Sequence, residues 1–108
     1  MARLIQHQII ARALELISDE TKWTRVSLAR SADGMPCGCF DPVAVRFCAV
    51  GALYRSAADL LGLDALAHAL EAEHFILAAN SQSKSLQLIN DVEGQRAVIA
   101  MFKVALAS

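Results

Sequence analysis

The sequence predicts an all-α domain: a compact bundle of about four main helices with an irregular or short β-hairpin insertion between helices 1 and 2. Three observations predict it. Apolar residues recur at helical spacing over four segments. Cap and stop residues punctuate those segments. Between Lys22 and Phe40 the helical period is lost, and β-branched and aromatic residues surround an Asp33-Gly34 turn pair.

The first helix is expected from about Ala2 to Ser18. Ile5, Ile9, Ala13 and Leu16 share one side, with Ile10, Leu14 and Ile17 beside them, while Gln8, Arg12 and Glu15 form a narrower wet stripe. In the insertion, Trp23 to Ala29 reads as extended, and Ser31 to Gly34 as a turn. The return strand is either a true hairpin arm or irregular, because Gly34, Pro36 and Gly38 interrupt it.

The second helix is expected to start at Asp41 as N-cap with Pro42 at the first helical position. It runs to about Leu61, where Gly62 supplies the stop. Val43, Phe47, Val50, Tyr54, Ala57 and Leu61 form its apolar stripe; Ala44, Cys48, Gly51 and Ala52 form a small-residue face. Gly51 is costly inside a helix, by about 1 kcal/mol, so a closely approaching backbone is its expected reason.

The third helix is expected from near Asp64 to about Ala79, with Leu63, Leu66, Leu70 and Leu77 as its stripe. Ser85 to Ile89 reads as one short turn. Asn90 to Glu93 has capping-box spacing, and a last helix reaches about Ala107 with Val98, Met101, Phe102 and Ala105 inward.

The length of 108 residues is that of one domain, residues 1–108. A formal net charge of -1, with scattered Lys and Arg, gives no basic stripe for nucleic acid. No apolar run is long enough to span a membrane, and no secretory pattern stands at the start. Three cysteines without a disulfide-dense composition fit reduced thiols in a cytoplasm. Hydrophobic residues make up 56%, more than one small protomer readily buries, which points to a homo-oligomer.

Few residues carry recognisable chemistry. Cys37, Cys39 and Cys48 offer three weak metal ligands, with His68 or His74 as a fourth, but the spacing is poor for zinc and free Cys also packs well. Trp23 reads as core or lid packing, or as a ligand platform. Arg55, on the small-residue face, would want a carboxylate such as Asp91. Phosphate loops, dinucleotide fingerprints and the His-Glu-x-x-His zinc pattern are missing, and no cofactor is expected.

Several segments stand in a recognisable order. They are Trp23-Thr24, then Cys48-Ala49-Val50-Gly51-Ala52-Leu53, then Asn90-Asp91-Val92-Glu93-Gly94. In this the chain resembles a family of small bacterial and phage proteins of unknown function. The resemblance implies no activity. It does imply that Trp23, Arg55, Asn90 and Asp91 line one locus, either a buried network that defines the fold or a ligand site. The leading expectation is a self-associating interaction module rather than an enzyme. A small-molecule-binding protein or minor hydrolase at that locus is the alternative, and a Cys-ligated metal protein the weaker one.

Overall fold

The computed structural model of the protein describes residues 2–63 and 66–108, with side chains from residue 5 onward. The chain forms α1 (Ala2–Ile17), a 3-10 turn (Glu20–Lys22), β1 (Ala29–Arg30), β2 (Pro36–Cys37) and β3 (Arg46–Phe47). Then follow α2 (Ala49–Leu61), α3 (Leu66–Ala79), α4 (Leu86–Glu93) and α5 (Gln95–Leu106). Among the described residues there are thus five α-helices, not four, and a small sheet rather than a lone hairpin.

Helix α1 packs against α2, α3 and α5. Its buried face is Ile9, Ile10, Ala13 and Ile17, while Gln8, Arg12 and Glu15 stay wet, as the 3.6-residue period requires. Helix α5 buries Val98, Met101, Phe102 and Ala105, the residues that the periodicity turns inward. Helix α3 departs from its predicted stripe. Ala69, Ala72 and Ile76 face the core, and Leu63 and Leu70 are exposed. Small side chains here let neighbouring helices approach closely. The predicted start of this helix at Asp64 lies outside the described residues.

The sheet has strand order β2-β1-β3, all antiparallel. Ala29 stands opposite both Cys37 and Phe47. The β1–β2 turn closes through the Gly34 amide, which donates to the Ser31 carbonyl at 2.9 Å, with Gly34 at φ +85°.

The third strand explains why α2 starts late. Asp41 does accept from the Val43 amide, at 3.0 Å, but it caps a turn and not the helix. Arg46–Phe47 is taken up in pairing with β1, so helical hydrogen bonding begins only after Cys48. Val43 and Val45, predicted inside or beside the helix, sit exposed in the segment that leads into β3. A second correction concerns the Asn90 region. Ser85, not Asn90, caps α4, its hydroxyl accepting from the Leu88 amide at 3.1 Å. Asn90 lies inside α4, and Gly94 at φ +95° separates α4 from α5.

No described helix is long and apolar enough to cross a membrane.

Candidate functional site

The polar centre of the molecule is a joint between three segments: the Trp23–Leu28 strap, the start of α2, and α4. Asn90 is fully buried. Its side-chain oxygen accepts from the Trp23 indole Nε1 at 2.8 Å and from the Ala49 backbone amide at 3.0 Å. Its amide nitrogen donates to the Thr24 carbonyl at 3.1 Å and to Asp91 Oδ1 at 3.1 Å. All four hydrogen-bonding positions of the Asn90 amide are therefore filled. Ala49 opens α2, so Asn90 caps that helix from a distant segment and satisfies an orphan N–H.

Asp91 holds the strap from its exposed side. Its Oδ1 accepts from the Val26 amide at 2.7 Å, and Gln87 Nε2 donates to both carboxylate oxygens, at 2.9 and 3.0 Å. Gln87 and Asp91 are four apart on α4, so they share a helix face. Partial burial pushes the Asp91 carboxyl up. The bonds from Val26, Gln87 and Asn90, with the charge of Arg25, outweigh it and hold the group below the ordinary carboxylate range. The sign follows. Its ionised form adds to stability above the unfolded carboxyl value, and that contribution is lost as pH falls through the depressed folded one. Arg25 completes the clamp. Its guanidinium lies 5.0 Å from the Trp23 ring centroid and donates to the Asp91 carbonyl at 3.2 Å.

Held this way, the strap adopts a conformation its sequence disfavours. Val26 has φ +74°, a region that a β-branched residue enters only under constraint. Its side chain is 71% exposed. Two residues on, the Leu28 carbonyl accepts from the Cys48 amide at 3.1 Å and lies against Gly51. A Cβ at position 51 would stand 2.0 Å from that oxygen, so only glycine fits. This is the close backbone approach that an interior glycine foreshadows.

The cysteines are free. Cys48 is the N-cap of α2. Its Sγ accepts from the Gly51 amide at 3.2 Å and donates to Gln87 Oε1 at 3.3 Å. Burial pushes this thiol up to about 11, and burial also raises Cys39. Among the described residues no group of three or more His, Cys, Asp or Glu side chains is placed to hold a metal ion. His68 lies 3.4 Å from Glu71 instead. We expect iodoacetamide at neutral pH to modify the half-buried Cys37 in the native protein and all three cysteines in denaturant. Native labelling of Cys48 as fast as Cys37 would contradict its place in the joint.

The structure thus brings Trp23, Asn90 and Asp91 together, while Arg55 bonds elsewhere. Its Nε pairs with Asp59 at 3.3 Å, not with Asp91, because the two are four apart on α2. Its Nη1 donates to the Cys39 carbonyl at 3.0 Å, and its guanidinium lies 5.6 Å from the Phe47 ring centroid. Asp59 also accepts from Arg12 at 3.1 Å. Two concavities, of about 360 and 310 Å³, flank this group and share Arg55 and Asp59. Sequence reasoning missed Gln87, Val26 and Asp59. The four-residue spacings Gln87–Asp91 and Arg55–Asp59 were the available signals, whereas nothing local marks Val26.

The family model for the family of unknown function DUF6197 matches residues 1–108. The chain belongs to this family. No curated protein and no solved structure matches it. A family of unknown function brings no activity with it, so any function must be argued from the geometry of the members themselves.

Proposed function

We propose that this DUF6197 member is a non-enzymatic helical interaction module of the cytoplasm, self-associating through the face around Val26. The carrying observation is that a rigid polar joint supports a strained, exposed valine. Backbone strain persists where surrounding structure imposes it, and such sites are often functional. Val26 is tied to a helix that also exposes apolar residues. Its amide is bonded to Asp91, and on α4 the neighbouring Leu88 and Val92 are 48% and 70% exposed. Leu88 and Val92 are four apart and share a helix face. Clustered exposed apolar residues mark interaction surfaces.

A second copy is the partner this face suits best. Arg25 and Asp91 give it both charge signs, so a two-fold-related copy meets complementary groups. A net charge of -1 offers little repulsion between copies. The same near-balance of charge disfavours nucleic acid as the partner. Three free cysteines suit a reducing compartment.

The test uses Val26→Asn, since Asn tolerates the left-handed region. The variant should be more stable by about 1 kcal/mol, the order of the strain it relieves. It should also lose self-association in size-exclusion chromatography with light scattering. A variant that is less stable, or equally associated, overturns the reading.

A further inference from the structure

We propose that the cleft between α1, the 3-10 turn and α2 binds a small organic anion with an apolar body, on a surface separate from the Val26 face. The cleft is the concavity of about 310 Å³, at the lower end of the range for small-molecule sites. Its lining inverts the charge of the chain. Arg12, Lys22 and Arg55 contribute three positive charges and Asp59 one negative, a formal +2 within a chain of net charge -1.

The donors are only partly used. Asp59 and the carbonyls of Cys39 and Asp41 occupy Arg55 Nε and Nη1, leaving Nη2 without a bond among the described residues. Among the described residues Arg12 bonds only through Nη2, to Asp59. Lys22 makes no ion pair among the described residues, although its charge reaches the exposed Asp19. Two guanidinium forks with donors left over are suited to a carboxylate or phosphate oxygen pair. Arg55 is also held in place, against the Phe47 ring and the Cys39 carbonyl, so little order remains to be gained on binding. Leu16 and Val45 supply the apolar wall. A bare inorganic ion would leave that wall unused. The shared chemistry is an anionic headgroup on an aromatic or branched aliphatic body.

The experiment is a titration of the 108-residue chain, followed by two-dimensional amide NMR. The probes are phenylacetate and phenyl phosphate, with neutral benzyl alcohol as control. Saturable shifts centred on Lys22, Val45, Phe47 and Arg55 with either anion support the site, the tighter anion identifying the headgroup. Lys22→Gln should weaken binding by about threefold or more, the scale of an exposed charge contact, and Lys84→Gln should not. The proposal is overturned if neither anion moves these amides at about 10 mM, well above the affinity of a weak site. It is also overturned if benzyl alcohol binds as tightly, or if the two lysine variants weaken binding equally.

Discussion

Gly51→Ala is expected to cost about 3 kcal/mol or more, because an added methyl meets backbone and cannot be absorbed by a rotamer change. The Leu28 carbonyl oxygen would lie 2.0 Å from the new Cβ and its carbonyl carbon 2.9 Å. Relief requires the strap to lift from α2. That breaks the Cys48 amide bond to Leu28 and strains the Val26 and Thr24 bonds to α4. For a domain of this size the loss corresponds to a drop in Tm of about 10–20 °C. Gly38→Ala is the control. Nothing lies within 4 Å of a Cβ there, so the melting temperature should barely move. Thermal unfolding followed by circular dichroism decides the matter, and equal effects of the two substitutions would contradict the packing described.

Asn90→Leu is the second large effect. The branching and number of heavy atoms are kept, but the Trp23 indole N–H, the Ala49 amide and the Thr24 carbonyl lose their partner in the interior. Orphaning buried groups costs roughly 1–3 kcal/mol each, and a shared network is not additive, so about 3–4 kcal/mol in total is expected. Asn90→Asp retains both acceptor bonds, loses the donors, and places a carboxylate beside Asp91. Its deficit should therefore shrink as the solution is acidified and the new carboxyl protonates. Trp23 is the only tryptophan, so its fluorescence in urea melts reports the joint directly. An Asn90→Leu protein as stable as the parent, with unshifted emission, would show that the joint is dispensable.

The helical frame was readable because α1 and α5 are governed by local periodicity. Their inward residues follow from spacing alone, and the structure buries most of them and packs Ile5, Leu14 and Leu16 partly buried against the core. Boundaries failed where a distant segment decided them. Asp41-Pro42 is a good helix start in isolation, yet pairing of Arg46–Phe47 with β1 claims the backbone that the helix would need. Asn90 has capping-box spacing, yet Ser85 begins the helix one turn and more earlier and Asn90 caps α2 instead. The stripe on α3 was legible only in part: Leu77 packs partly buried against the core, whereas Leu70 is exposed and Ala69, Ala72 and Ile76 form the buried face.

The site was legible in part. Trp23, Asn90 and Asp91 stood out, and they do meet. Gly51 announced a close backbone approach and Leu28 supplies it. The partner of Arg55 was misjudged because its carboxylate lies four residues away on its own helix. The left-handed conformation of Val26 has no sequence signal, since β-branched residues are poorly suited to it. It is imposed by Asp91 from 65 positions away in the chain.

Self-association through the Val26 face is tested by sedimentation velocity of the parent protein, Val92→Asp and Leu70→Asp. Both substituted residues are exposed and apolar, but only Val92 stands on α4, the helix that holds the Val26 amide through Asp91. The parent protein is expected to sediment as a dimer, the Leu70→Asp variant to do the same, and the Val92→Asp variant to sediment as a folded monomer. A parent protein that remains monomeric at about 100 μM, far above the Kd of a working dimer, would contradict it. So would equal dissociation by the two substitutions.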